Sequence, residues 1–243
     1  MNLMAVALLM ALVPAPIAPE LAALGDSYAA GVGAERHGPC GRGDNAYPAL
    51  YAKQTSASLI FLACSGATVD NVLQTQVPRI TPPTSIVTVT VGGNDAGFAD
   101  VMTTCVLNGD SVCRRAVDRS VSFIRTSLGR RLDGLYAAIR AKTPAKVVVL
   151  GYPRLFEPAG SCSFSVAKRT ALNGAADVLD EVIGARAKAA GFGFGDVRTT
   201  FAGHGLCGRS PWLNNVTFPI ASSFHPTATG QRLGYLPVLL ATL

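Results

Sequence analysis

Apolar residues along this chain gather in short blocks at Leu21–Leu24, Leu59–Leu62, Ile86–Val91, Val147–Leu150 and Phe192–Val197, most of them followed at once by Gly, Asp, Asn or Ser. Short apolar runs that end in turn residues are the pattern of buried strands. Between the blocks the apolar positions change to helical spacing over Val69–Val77, Arg114–Ala141 and Ser165–Ala190. A last helical stretch starts at Thr227, where Pro226 suits a first turn and Pro237 predicts a bend. Strands that alternate with helices build a parallel sheet of, here, about five strands with helices on both faces, an α/β fold.

Ligands of such sheets bind beyond the carboxyl ends of the strands. Three of those ends carry polar or glycine-rich turns: Gly25-Asp26-Ser27, Cys64-Ser65-Gly66-Ala67 and Gly92-Gly93-Asn94-Asp95. The alternation therefore predicts one edge at which Ser27, Gly66 and Asn94 meet.

Composition adds detail to this picture. The 243 residues are 49% hydrophobic and 15% charged, which suits one filled core rather than a disordered chain. Residues 1–20 stand apart. Met1–Ala18 is apolar and alanine-rich, but Pro14, Pro16 and Pro19 interrupt it, so it is too short and broken to span a bilayer. It resembles a secretory signal remnant, the alternative being an N-terminal arm, and the folded domain is expected over residues 21–243. After such a start, Cys40, Cys64, Cys105, Cys113, Cys162 and Cys207 read as three disulfides among ~15 possible connectivities. Sequential pairing is favoured because Cys105 and Cys113 flank the turn-like Asn108-Gly109-Asp110. A zinc site from His37, Cys40, His204 and Cys207 competes, but no Cys-x-x-Cys knuckle accompanies those residues.

The formal charge is +6. Its densest basic stretch, Arg114–Lys146, lies on a predicted helix with Asp118 and Asp133 interspersed, the pattern of a solvated face and not of a nucleic-acid surface. Weak attraction to anionic lipid surfaces is what the net charge implies. A monomer is expected.

The predicted edge has the groups that ester hydrolysis needs: an oxygen nucleophile, a base and donors for the oxyanion. Ser27, at a strand-to-helix turn, can present its Oγ and its own backbone N–H. Gly66 can bring a second N–H close, and the Asn94 amide is a third donor, giving an oxyanion hole of Ser27, Gly66 and Asn94. Of His37, His204 and His225, only His225 sits on a loop, Ser222–Thr227, that can lie over the edge before the terminal helix. Each element alone has an ordinary explanation as a cap, turn or loop residue; their occurrence in order at matching strand ends points to catalysis. A second Gly-Asp-Ser, at residues 109–111, has no strand leading into it and reads as a polar turn. Gly25-Asp26-Ser27-Tyr28-Ala29 nearly fits the Gly-x-Ser-x-Gly elbow, yet it follows the first strand and not a later one, which excludes that hydrolase arrangement. Asp26 and Asp95 read as structural acceptors. Tyr28, Phe98, Phe156, Trp212 and Phe224 are candidates for an apolar groove or for the core.

These blocks resemble the SGNH (GDSL-type) hydrolases, with Ser27, Gly66, Asn94 and His225 in the positions that name the family. "ALGDSYAAGVG", "ACSGAT", "VGGNDAGFADVM", "VVVLGYPRLF" and "SFHPT" are similar to segments of its secreted actinobacterial lipases and esterases. The resemblance spans roughly residues 21–237. It implies a three-layer α/β/α sandwich, the flavodoxin-like SGNH fold, with no metal or other cofactor and with disulfides Cys40–Cys64, Cys105–Cys113 and Cys162–Cys207. It also implies acylation of Ser27 with His225 as base.

One departure matters. Many members carry Asp three residues before the His, where this chain has Ser222, so the expected site is a dyad oriented by the backbone carbonyl of Ser222 or Ser223. The expected activity is that of a secreted esterase or lipase on acyl esters. Alternatives are a phospholipase, a carbohydrate O-acyl esterase or acyltransferase on the same site, or a non-catalytic lipid- or glycan-binding domain.

Overall fold

The computed structural model describes residues 18–34, 37–218 and 220–243. Most of the signal-like segment, residues 1–17, lies outside the described residues. Strand β1 (Glu20–Gly25) starts one residue inside the segment set aside as an arm. It is joined by β2 (Ser58–Phe61), β3 (Thr84–Thr90), β4 (Lys146–Leu150) and β5 (Gly193–Gly195) in a fully parallel sheet of order β2-β1-β3-β4-β5. That is the doubly wound order in which the chain reverses direction between β1 and β3, and the crevice at that reversal is where such sheets bind ligands.

Helices cover both faces: α1 (Ser27–Ala30), α2 (Tyr47–Thr55), α3 (Val69–Asn71), α4 (Phe98–Leu107), α5 (Asp110–Phe123), α6 (Gly129–Lys142), α7 (Val166–Ala189) and α8 (Leu236–Thr242). Turns of π-helix follow α3, join α5 to α6 and precede α8. Leu21, Leu24, Val87, Val89, Val148 and Leu150 are fully buried between the layers. This burial on both faces explains why the strands read as continuous apolar runs and not as alternating ones.

Several boundaries differ from the sequence reading. β5 is confined to Gly193–Gly195, because its glycines lie against α8: a Cβ on Gly195 would stand 2.5 Å from Leu150 Cδ2 and 2.8 Å from Val238 Cγ1. The Arg114–Ala141 stretch is α5 and α6, continuous from Asp110 through the π turn. Helices α2 and α4 were not anticipated. Pro226 precedes the terminal helix in an antiparallel bridge with Leu213, and Thr227 caps that helix by accepting from Gly230 N at 3.2 Å. Pro237 lies in the first turn of α8, directly after a π turn that accommodates its missing N–H.

The three disulfides are Cys40–Cys64, Cys105–Cys113 and Cys162–Cys207. Cys40 and Cys207 therefore stand in separate bonds, and the alternative zinc cluster is not formed. The second Gly-Asp-Ser opens α5, with Gly109 as its cap and Asp110 accepting from Ser165 Oγ at 2.8 Å. Along the basic stretch, Arg131 pairs with Asp70 and Arg186 with Asp133. No helix among the described residues is long and apolar enough to cross a membrane.

Cys40–Cys64 closes a loop of 24 residues onto the turn that holds Gly66, and Ser65 N donates to Cys40 O at 2.9 Å. Replacing both cysteines by serine should lower the unfolding free energy by about 3 kcal/mol, read from urea denaturation, and should reduce ester turnover beyond the loss of folded protein.

Candidate active site

The site is built from the end of β1 outward. Gly25 lies opposite Thr90 at a φ of +128°, and a Cβ there would stand 2.2 Å from Thr90 O, so only glycine lets the two chains run so close. The buried Gln76 side chain clamps this residue, accepting from Gly25 N at 2.8 Å and donating to Gly25 O at 2.9 Å. Asp26 then caps α1: its Oδ1 accepts from Tyr28 N at 2.9 Å while its own N–H donates to Thr90 O at 2.9 Å. Ser27 is thereby the first residue of α1, carried past the sheet edge.

His225 reaches Ser27 from the other end of the chain. Its Nε2 is 2.7 Å from Ser27 Oγ, and its Nδ1 is 2.9 Å from Ser223 O. A carbonyl can only accept, so Nδ1 carries the proton and Nε2 is left to accept from the serine hydroxyl. Of the two carbonyls expected to orient the ring, Ser223 holds this position. The Ser222 hydroxyl donates instead to Val32 O at 3.4 Å. Nor does Asp26 take the place of a triad acid, because its oxygens accept from Tyr28 N and from Tyr152 OH.

The loop that delivers His225 is strained and tied down. Phe224 adopts a φ of +62°, a left-handed conformation costly for an aromatic residue. It is held there by Phe224 N donating to Asn214 O at 2.8 Å and by Tyr28 OH donating to Phe224 O at 2.7 Å. Asn214 also donates twice: its N–H to His225 O and its side-chain amide to Gly33 O. Gly33 is glycine for a steric reason, since a Cβ would stand 2.6 Å from His225 Cβ.

Gly66 turns the chain at a φ of +80°, with Ala67 N donating to Cys64 O, and the Gly66 N–H has no acceptor among the described residues. Asn94 is fastened to that same turn by Nδ2 donating to Ala67 O at 3.0 Å; one amide hydrogen is used and one remains. Asp95 accepts from Val69 N at 2.9 Å, joining the end of β3 to the start of α3. Burial raises its pKa despite that bond and the nearby Arg131. Ser27, Gly66, Asn94 and His225 all line one cleft of about 460 Å³, with Phe98, Met102, Ile220 and Phe224 on its walls. A smaller apolar cavity of about 70 Å³ adjoins it across Ser27, Asn94 and Phe98, walled by Ile124, Leu155, Leu172 and Leu179.

The candidate aromatics divide accordingly. Phe98 and Phe224 line the cleft and Tyr28 the small cavity. Phe156 packs on Phe164, and Trp212 stacks at 3.5 Å on His204, away from the cleft. His37 lies in a bridge with Arg42.

Two residues escaped the sequence reading. Gln76 gave no signal, being a polar residue within a helical pattern. Tyr152 did give one, since it follows β4 in "VVVLGYPRLF". Its hydroxyl donates to Asp26 Oδ2 at 2.5 Å and accepts from Gly93 N at 3.2 Å, so one side chain links the ends of β1 and β3. Burial lifts the Asp26 carboxyl from 3.8 to about 7, with the Tyr152 and Tyr28 donors pulling the other way.

Folded Asp26 thus keeps a proton that the unfolded chain releases between 3.8 and about 7. Its contribution to stability is full below that window, falls as pH rises through it and is flat above. Urea unfolding of wild type and Asp26→Asn across this range should show the wild type losing stability relative to the variant as pH rises. Parallel profiles would contradict the assignment.

Residues 23–233 match the GDSL-like lipase/acylhydrolase family. The chain is 48% identical over 230 residues to a lipase of Streptomyces rimosus, covering 91% of this chain and 86% of that protein. It is 49% identical over 225 residues to lipase 1 of Streptomyces coelicolor, covering 89% and 84%. Among solved structures, the extracellular lipase of Streptomyces rimosus superposes with a TM-score of 0.90 at 47% identity, over 93% of this chain and all of that one. Phospholipase A1 of Streptomyces albidoflavus NA297 matches with the same score, identity and coverage. On its fold, its four ordered blocks and these relatives, the chain belongs to the GDSL-like lipase/acylhydrolase family and is a hydrolase of that family.

Proposed function

We infer that this protein is an extracellular serine hydrolase of lipid acyl esters, working through an acyl-enzyme on Ser27 with His225 as the base. The observation that carries this reading is the relay Ser223 O, His225 Nδ1, His225 Nε2, Ser27 Oγ, in which both spacings are hydrogen bonds and the tautomer is set by the carbonyl.

In the first half-reaction, Ser27 Oγ attacks the ester carbonyl carbon as Nε2 takes its proton. The carbonyl oxygen becomes an oxyanion that can accept from Ser27 N–H, Gly66 N–H and the remaining Asn94 amide hydrogen. The C–O bond to the alcohol then breaks, and the leaving alkoxide takes the proton back from Nε2. In the second, Nε2 takes a proton from water as the hydroxide attacks the acyl carbon, and the bond from that carbon to Ser27 Oγ then breaks as Nε2 returns the proton to Oγ, which releases the acid and restores the dyad. The positive ring formed at each addition is stabilised by the Ser223 carbonyl dipole in place of a carboxylate.

Apolar walls in the cleft and in the adjoining cavity favour an acyl chain as the group received there. The relatives named lipase and phospholipase A1 support lipid esters as the substrate class, with the head group left to experiment. The disulfides, together with the extracellular lipase among the relatives, support action outside the cell.

Hydrolysis of p-nitrophenyl esters from acetate to palmitate tests the reading directly. Ser27→Ala should lose activity at every chain length while keeping its unfolding midpoint; equal activity would place the nucleophile elsewhere. Asn94→Ala should lower kcat by ~10²-fold or more with KM little changed. Ser222→Ala should stay within a few-fold of wild type, as expected if the Ser223 carbonyl, and no hydroxyl, orients His225.

A further inference from the structure

Of the eight large apolar side chains exposed among the described residues, all but Leu233 and Leu240 fall on the segments around the cleft. Among the described residues, Leu107, Val166, Phe218 and Ile220 are each more than half exposed, at 74%, 63%, 94% and 62%, and Val106 and Val216 are at 42% and 49%. Val106, Leu107, Val216 and Ile220 line the cleft that holds Ser27 and His225. They come from its two sides, Val106 and Leu107 from the end of α4 and Val216 and Ile220 from the stretch before His225. Phe218 lies between Val216 and Ile220 in the chain. Val166 is brought to the α4 side by the Ser165–Asp110 hydrogen bond and by Lys168 Nζ, which donates to Cys105 O at 2.7 Å and Asn108 O at 2.6 Å.

Neither side is a loose loop. Cys105–Cys113 and Lys168 fix the turn after Leu107. On the other side, Thr217 N donates to Ser223 Oγ at 3.0 Å, Ser223 Oγ to Thr217 O at 3.3 Å, and Ser223 N to Ile220 O at 3.0 Å. Thr217 and Ile220 are thus both tied to Ser223, and Phe218 stands 94% exposed beside them. Their anchor, Ser223, is the residue whose carbonyl holds His225, which couples the rim to the dyad.

We propose that this apolar rim is a docking face for a phospholipid surface, entered by Phe218, Leu107 and Ile220 so that the cleft mouth opens directly onto the lipid. The occupant follows from where the rim is. A protein or a second copy seated on it would close the cleft, whereas a lipid surface covers the rim and supplies the ester to Ser27. The formal charge of +6 suits a surface of phosphate head groups. A contiguous exposed apolar patch at the mouth of a site is the physical mark of such a contact. The proposal rests on the lipid-ester reading above.

The test uses the full chain carrying Ser27→Ala, which cannot consume the lipid, and vesicles of phosphatidylcholine with and without phosphatidylglycerol. Cosedimentation with both is expected, and adding Phe218→Ser should weaken partitioning about tenfold. In the Ser27 background, Phe218→Ser should hydrolyse soluble p-nitrophenyl acetate at the wild-type rate, showing that the fold and the dyad are intact. Absence of binding, equal binding by the Phe218→Ser protein, or binding only to phosphatidylglycerol that salt abolishes would each overturn the docking face. Phe218-dependent binding by a wild-type chain inactive on every ester would keep the docking face and overturn the hydrolase reading instead.

Discussion

Ser27 and His225 are 198 residues apart and must stay within one hydrogen bond of each other. Chain entropy opposes any such closure, so the surrounding contacts have to hold the loop in place before substrate arrives. They are polar bonds, most of them buried. Tyr28 OH fixes Phe224 O, Asn214 spans Gly33 and His225, and the fully buried Gln231 accepts from Tyr47 N and donates to Tyr28 O. Tyr28 thus follows Ser27 in the chain and also steadies the loop that carries His225. Because a buried polar group left unpaired is costly, these bonds specify one arrangement and not merely a compact one.

The same economy governs the electrostatics. A carboxylate behind the imidazole would bring another buried charge to a region where Asp26 is already pushed up to about 7 by burial. A backbone carbonyl sets the tautomer without that charge, at the cost of weaker stabilisation of the imidazolium. Asp26 serves the frame instead: through Tyr152 it joins the end of β1 to Gly93, next to the Asn94 amide. The distance between Ser27 and the Asn94 amide is then a property of the sheet ends.

Much of this was legible in the residues. Apolar runs ending in Gly-Asp-Ser and Gly-Gly-Asn-Asp gave the strands and the edge, because doubly buried strands and their turns carry strong local signatures. The choice of His225 among three histidines also followed from placement. What stayed hidden depends on tertiary contact. Helix α2 has only weak amphipathic spacing, α4 follows the Asn94 turn without a break, and β5 is limited by glycines that pack against α8. Ser222 and Ser223 are adjacent, and the tertiary path of the loop, with Phe224 left-handed, brings the Ser223 carbonyl to the ring. Gln76 and Tyr152 act across 51 and 126 residues of sequence, distances at which no local pattern speaks.

Covalent trapping tests the central pairing most directly. Incubation with an alkyl p-nitrophenyl phosphonate, followed by peptide mass mapping, should give one adduct, on Ser27, formed far more slowly when His225 is replaced by alanine. An adduct on Ser111 or another serine, or one on Ser27 formed at an unchanged rate without His225, would contradict the dyad.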